Sequence, residues 1–378
     1  MKLLFDTNVI LFLSSNMINY KLNNADVKEV ASWSDEKERY ILKDEPGKLF
    51  NDFIVKYLNS TIYPLRKSLD NITFIFDKGR SWRKLYLEEY FKDSIQKQFE
   101  YKAGRKTEHN TKMFLYFNYF ADTIKYKLQD IPGVSILEGN NIEADDFFKY
   151  IIDQPENTKN IIWSIDTDLQ QLLHYKNENN WNIMLTPKGQ TKNKKIYAPK
   201  EFIDTFIEYT PDIFNFSLNS EGSLKDIMKN LITNKDYKQY DINPLKSLIE
   251  KILSGDKSDN IPNIFNEIQE DLSKVDFVRI TNKLVKLHDD IIQDFDTNID
   301  LIVESIINSI NELYTIDLTA NYNLIKSNLK LNEKLIRLHL GNMPDYISDK
   351  IINKYKTNYN NTNFEYSKFS DFVKLNKI

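Results

Sequence analysis

The sequence predicts an α/β protein: a central, mostly parallel sheet flanked by helices, with an α-helical C-terminal part. Three observations predict it. Short β-branched and aromatic runs ending in aspartate recur at Leu3–Asp6, Ile72–Asp77 and Ile161–Asp166, the texture of strands buried on both faces. Helical apolar spacing fills the intervals, which is the alternation of a parallel sheet. Beyond about residue 215 only amphipathic helical patterns remain.

Taken in order, the first run gives a strand that stops at Asp6, whose following Thr7-Asn8 opens a helix. Phe50–Leu69 carries apolar residues at helical spacing, interrupted by Pro64. The second strand ends at Asp77, and Thr111–Leu128 repeats Phe, Tyr and Ile at helical spacing. Gly133–Glu138 is a fourth strand candidate, and Glu143-Ala144-Asp145-Asp146 starts a further helix. The strand Ile161–Ile165 leads into Asp166-Thr167-Asp168, and the lysine-rich stretch Lys188–Lys200 suits a β-turn or hairpin. Helices are expected over Leu224–Ile232, Pro244–Leu253, Val275–Ile292 and Ile299–Leu313. We therefore expect an α/β core over residues 1–215 and a helical domain over 216–378.

Composition narrows the chemistry. With 41% hydrophobic and 13% aromatic residues among 378, the chain can bury a substantial core. It has no cysteine, which excludes disulfides, thiolate metal sites and thiol nucleophiles. Four scattered histidines offer no ligand spacing, so a metal site must be built from oxygen, which favours magnesium, manganese or calcium. No signal peptide or membrane span is expected, and a cytoplasmic monomer is. The net charge of −4 is unevenly spread: Lys78 to Lys106 holds nine basic and four acidic residues, and Lys188 to Lys200 holds five lysines and no acid.

The acids carry the functional signal. Asp6, Asp77 and Asp166 end strands, where ligands of parallel sheets bind. Asp6 alone reads equally well as a helix N-cap, and the acids of Glu143–Asp146 alone as partners of a helix dipole. Together they are harder to dismiss, because clustered carboxylates repel one another unless a cation lies between them. Asp166 and Asp168, two apart in extended chain, point the same way. Ser254-Gly255-Asp256-Lys257-Ser258-Asp259-Asn260 forms a tight turn, which suits a plain helix stop as well as a ligand loop. Two divalent ions about 3.5–4 Å apart stabilise both the attacking and the leaving oxygen of a phosphodiester displacement, and such a site needs no histidine or serine.

The order Asp6, Asp77, Glu143-Ala144-Asp145-Asp146, Asp166-Thr167-Asp168, Gly255-Asp256-Lys257-Ser258-Asp259-Asn260 resembles the 5′-nuclease (flap endonuclease) superfamily, and within it most nearly the tailed-phage RNase H enzymes. Trp82-Arg83-Lys84 and Tyr101-Lys102-Ala103-Gly104-Arg105-Lys106 resemble its helical arch, which the resemblance implies as a region at about 78–118 within the core. The resemblance implies a first metal site of Asp6, Asp77, Glu143, Asp145 and Asp146, with Asp166 and Asp168 between it and a second completed by Asp256 and Asp259. It implies that Lys102 and Arg105 contact the scissile phosphate and that Arg83, Lys84 and Lys106 bind the nucleic-acid strand. Two Mg2+ ions, with Mn2+ as substitute, and DNA or RNA–DNA hybrids with 5′ ends or flaps follow as cofactors and substrates, and removal of RNA primers during phage DNA replication as the role. The chain departs from the family after Pro262. Where most members have a glycine-rich turn gripping the duplex and a monovalent ion, it reads Asn263-Ile264-Phe265-Asn266-Glu267.

Two other readings remain at this point. A PIN-type single-strand ribonuclease would share the sheet and acids but needs neither the arch nor Gly255–Asn260. A catalytically degenerate DNA-binding relative would keep the fold and lose the acids. The spaced aromatics of Phe364–Phe372 are expected to dock on a sliding clamp or single-strand DNA-binding protein.

Overall fold

The computed structural model describes all of the chain except residues 23–24, 93–97, 104–106, 188–193, 208–223, 234–236, 269–271, 273–274, 294, 296, 361 and 377–378. It divides into two compact units. The first comprises Met1–Gly79, Arg105–Ile242 and Tyr346–Ile378, and the second Arg80–Gly104 and Asn243–Asp345. The sequence placed the whole of 216–378 in one helical part. Instead, its last helices return to the first unit.

The first unit is built on one sheet. Its strands are β1 (Lys2–Asp6), β4 (Asn71–Lys78), β5 (Val134–Asn140), β6 (Lys159–Trp163), β7 (His174–Asn177), β8 (Asn180–Thr186), β9 (Lys194–Ala198) and β10 (Tyr237–Asp241); β2 (Ala31–Ser34) and β3 (Arg39–Leu42) form a separate antiparallel hairpin. The order across the main sheet is β10-β9-β8-β6-β1-β4-β5, with β7 paired to β8. All pairs are parallel except β7–β8 and β8–β9. The β8–β9 pair agrees with the expected hairpin, although residues 188–193 of its turn lie outside the described part.

The strands are apolar on both sides because both sides are covered. Leu3, Phe5, Ile72, Phe74 and Trp163 face the main core, while their neighbours Leu4, Ile75 and Ile162 are equally buried. The ring of Phe5 stacks on that of Phe74 at 5.1 Å. Helix Ala144–Asp153 packs against β4. The helix expected at Phe50–Leu69 begins earlier, at Asp44, and ends at Ile62, where Pro64 turns the chain into a short 3-10 segment. The Thr111–Leu128 pattern divides into Thr107–Thr123 and Lys125–Gln129.

β1 lies at the centre with β4 on one side and β6 on the other. The strand order reverses there, and a crevice opens outside the carboxyl ends of strands at such a switch point.

The second unit is helical. Trp82–Tyr90, Pro244–Ser254, Phe277–Gln293, Ile299–Tyr314 and Tyr322–Ile336 enclose a separate core that includes Leu253, Ile280, Val303, Ile306, Ile325 and Leu329. The glycine-free turn after Pro262 is braced by two asparagines of the last of these helices. Asn328 donates to the carbonyls of Ile264 and Asn266, and Asn332 to those of Ile252 and Pro262.

Candidate metal centre

Within the first unit, four loops deliver acids to the carboxyl end of the sheet. Asp6 ends β1 and caps helix Thr7–Lys21, accepting from Val9 N at 3.4 Å. The residue is buried, 7% exposed, and its carboxylate accepts from Ser164 Oγ at 2.7 Å. Ser164 directly follows β6 and accepts in turn from Asp166 N at 3.0 Å. Asp166 then caps the 3-10 turn Thr167–Leu172, accepting from Asp168 N at 2.9 Å.

The other side of the cluster is set by β4 and helix Ala144–Asp153. Asp77 Oδ1 accepts from Ala144 N at 2.6 Å, which places a carboxylate on the positive end of that helix. Asp146 is fully buried and turns back to accept from Glu143 N at 3.1 Å, so at least one of its oxygens serves as a helix cap. Glu143 is buried beside it. One carboxylate oxygen each from Asp145, Asp166 and Asp168 lie within 4.8 Å of one another.

The electrostatics record the crowding. Burial pushes the Asp6 carboxyl up to about 7, and the charges of Asp77 and Asp166 add to this, while the Ser164 hydrogen bond opposes it. Asp145 is held well above the ordinary carboxylate range by burial first, then by the charges of Asp166, Asp77, Asp6 and Glu143. Acids as far apart in the chain as Asp6 and Asp168 thus share one small volume. A donor set made only of carboxylate oxygens at this spacing fits a hard divalent cation, which takes oxygen ligands at about 2.0–2.6 Å.

Asp256 and Asp259 lie in the second unit. Gly255 (φ +72°) ends helix Pro244–Ser254, and a Cβ there would lie 2.3 Å from the Ile261 carbonyl oxygen. Asp256 and Ile261 exchange backbone hydrogen bonds and close the turn. The Asp256 carboxylate accepts from Lys251 Nζ at 2.7 Å and from Ser258 N and Oγ, which hold it below its usual pKa range despite burial. Asp259 accepts from Tyr101 OH at 2.8 Å, and Lys102 Nζ stands 3.8 Å away. The backbone of Lys102 is tied to the same turn, its N–H donating to Asp259 O at 2.8 Å.

The basic residues divide. Lys84 is partly exposed and pairs with Glu100 at 2.8 Å. Arg83, expected on a nucleic-acid-binding surface, is instead 3% exposed: its Nε donates to Leu335 O at 2.8 Å and its guanidinium lies over Trp82. It is a packing residue of the second unit. Arg105 and Lys106 lie outside the described residues. Phe364, Phe369 and Phe372, expected to dock on a clamp or single-strand DNA-binding protein, are instead buried in the first unit's core.

Two residues of this region were not singled out as site residues from the sequence. Ser164 bridges Asp6 and Asp166 from the position directly after β6. Tyr101 was quoted only within an arch motif, yet its hydroxyl fixes Asp259.

No protein-family model and no curated protein sequence matches the chain. Among solved structures it is similar to a bacteriophage T5 protein co-crystallised with metal ions (15% identity, 94% of this chain and 98% of that one, TM-score 0.48). It is likewise similar to a phage T5 flap endonuclease in a pseudo-enzyme–product complex with DNA and metal ions (16%, 94% and 99%, 0.47). A T5 5′-exonuclease with bound zinc gives 15% identity, coverage of 100% and 98%, and a TM-score of 0.48. At this level the likenesses carry no functional weight, and the chain's own carboxylates must supply it. Among the described residues no helix is long and apolar enough to cross a membrane.

Proposed function

We propose that the chain is a divalent-metal-dependent nuclease of the 5′-nuclease type, cutting phosphodiesters at 5′ ends or flaps of DNA and RNA–DNA hybrids. The observation that carries this is the gathering of Asp145, Asp166 and Asp168 oxygens within 4.8 Å at the carboxyl end of the sheet, with the charges of Asp6, Asp77 and Glu143 acting on Asp145. The motif order of the sequence supports the narrower 5′-nuclease assignment.

Asp145, Asp166 and Asp168 would hold the ion, Mg2+ or Mn2+, and Asp256 with Asp259 would serve a second. A bound divalent ion supplies Lewis acidity and charge neutralisation at the scissile phosphate. The protein's own side chains do the rest. Ser164 fixes the Asp6 carboxylate and the start of the Asp166 turn, so that the acids meet in one geometry. Lys102 presents an ammonium to a substrate phosphate, Arg105 assists it, and Lys84 and Lys106 attract the strand. Removal of RNA primers and short flaps during DNA replication is the role this chemistry suits.

The test is cleavage of a 5′-flap DNA and of an RNA–DNA hybrid in Mg2+, with and without excess chelator. Chelation should abolish cutting. Asp145→Asn, Asp166→Asn and Asp168→Asn should each lower the rate by more than the ~10–100-fold that loss of an outer-shell partner causes. Cutting that survives both treatments would remove the metal-centred reading.

A further inference from the structure

We propose that Lys195 and Lys238, on the two edge strands of the sheet, grip the phosphate backbone of the substrate's duplex part, about three nucleotides from the bond that is cut. This rests on the nuclease reading and says where on the chain the uncut part of the substrate lies. It also gives a use to the lysine-rich stretch Lys188–Lys200, to which the metal centre assigns none.

Strands β9 and β10 run parallel, and their register sets Lys195 opposite Lys238 and Tyr197 opposite Tyr240. Ile196 and Ala198 turn into the main core, so these four side chains share the other face. The rings of Tyr197 and Tyr240 stack at 5.1 Å. Both ammoniums lie by the Tyr240 ring, Lys195 Nζ at 5.5 Å and Lys238 Nζ at 5.2 Å from its centroid. Like charges directly opposite one another repel and weaken a sheet, and a cation on a partly exposed ring recovers little of that. Among the described residues no carboxylate pairs with either lysine. The charge that would balance them has to come from a ligand. The ring faces are taken up by each other and by the ammoniums, which leaves the ammoniums and the tyrosine hydroxyls to meet it. Those groups suit phosphate oxygens and leave base sequence unread.

The pair is in line with the metal centre. Trp163, Leu185 and Ile196 are register partners across β6, β8 and β9, and all three face the main core. Ser164, Thr186 and Lys195 therefore form the next row toward the acids, on the opposite face. Thr186 Oγ1 accepts from Lys195 N at 3.1 Å and holds that end of β9. Two strand spacings of about 4.8 Å put Lys195 roughly 10 Å from Ser164, the residue that joins Asp6 to Asp166. With one phosphate per ~3.4 Å of axis on each strand of a duplex, that is about three nucleotides. A duplex keeps this interval fixed, as a sheet edge requires, and a single strand does not. An acidic protein segment would also meet the lysines, but it has no reason to extend from a metal centre.

The full chain in excess chelator, where nothing is cut, should be titrated with a 5′-flap duplex over a range of salt. Lys195→Gln and Lys238→Gln should each make the plot of log affinity against log salt shallower by about 0.9, and the double variant by about twice that. Neither variant should melt below the parent, because each relieves a like-charge pair. A neutral methylphosphonate placed at each duplex phosphate in turn should weaken binding most about three nucleotides from the flap junction, and this sensitivity should vanish in the double variant. An unchanged salt slope in both single variants overturns the proposal. So does a slope that changes for single-stranded or acidic peptide ligands but not for the duplex, or a flat methylphosphonate profile. A protein that shows the sensitive phosphate but cuts nothing with any divalent ion would instead overturn the nuclease reading alone.

Discussion

Ser164 Oγ donates to Asp6 Oδ2 at 2.7 Å, joining the ends of two adjacent parallel strands across the point where the strand order reverses. The hydroxyl also accepts from Asp166 N. One side chain therefore sets two acids whose carboxylates repel each other. Ser164→Ala should weaken divalent-ion binding by about 10–100-fold, the usual effect of losing a partner that orients a ligand. It should also cost about 1.5–3 kcal/mol of stability at pH 8 in chelator, since a buried carboxylate loses a hydrogen bond. Mn2+ titration and denaturant melts measure the two effects separately. Unchanged ion affinity would mean that the acids find their geometry without the bridge.

The metal-free protein should lose stability as pH rises. Asp6 holds its proton up to about 7, against an ordinary value near 3.8, and Asp145 is shifted in the same direction. The folded chain therefore binds more protons than the unfolded one between those values, and its stability declines across that window. Below about pH 4 both states are protonated and the penalty is absent. Above about 7 it is fully expressed. Saturating Mg2+ should flatten or reverse the slope by neutralising the cluster. Thermal melts from pH 5 to 8, with chelator and with Mg2+, provide the comparison, and identical slopes in the two would contradict the cluster's crowding.

Arg83 and Lys84 are neighbours with opposite expected behaviour. Arg83→Ala leaves the Leu335 carbonyl without its donor and should cost about 1–3 kcal/mol of stability. Its effect on oligonucleotide affinity, measured below the melting transition, should stay within about twofold, since one buried polar partner acts on the fold rather than on a phosphate. Lys84→Ala should do the reverse, with little change in melting and a shallower salt dependence of binding. An Arg83→Ala protein that melts normally but binds weakly would return Arg83 to the substrate.

Why the sequence read Arg83 as a surface cation, yet placed the sheet, is a matter of range. Leu3–Asp6, Ile72–Asp77 and Ile161–Asp166 announce themselves because strands buried on both faces must be apolar throughout. The helices at Leu224, Pro244 and Ile299 do so because their apolar spacing is local. An arginine's burial depends on an acceptor 252 positions away, which no local pattern records. The same holds for β10, Tyr237–Asp241, where no strand was expected: it is a half-exposed edge segment whose pairing with β9 supplies the order that its own residues do not. The hairpin Ala31–Leu42 is short and largely surface-exposed, and left no apolar run to find. Of the site, the acids were legible as residue types in order. Which of them face one another was not, because Asp145 and Asp146 are adjacent in sequence and only the helix cap decides which turns inward.

The C-terminal aromatics give the last prediction. Phe369 is fully buried among Phe364, Tyr366 and Phe372, on the helix Tyr366–Asn376 that packs against Asp44–Ile62. Just before it, Phe364 N donates to Asp70 O, and its backbone passes so near Gly133 (φ +75°) that a Cβ there would lie 2.3 Å from Phe364 Cα. If this segment is core, it can be damaged from either side. Phe369→Ala should cost about 3–5 kcal/mol, the range for truncating a buried aromatic. Gly133→Ala should also destabilise, through a clash with main chain and a backbone angle that alanine resists. If the segment instead detached to seize a partner, Gly133→Ala would barely affect melting and would expose the helix to protease. Melting curves and limited proteolysis of the two variants separate these outcomes, because only a docked tail makes a glycine on the far side of the contact matter.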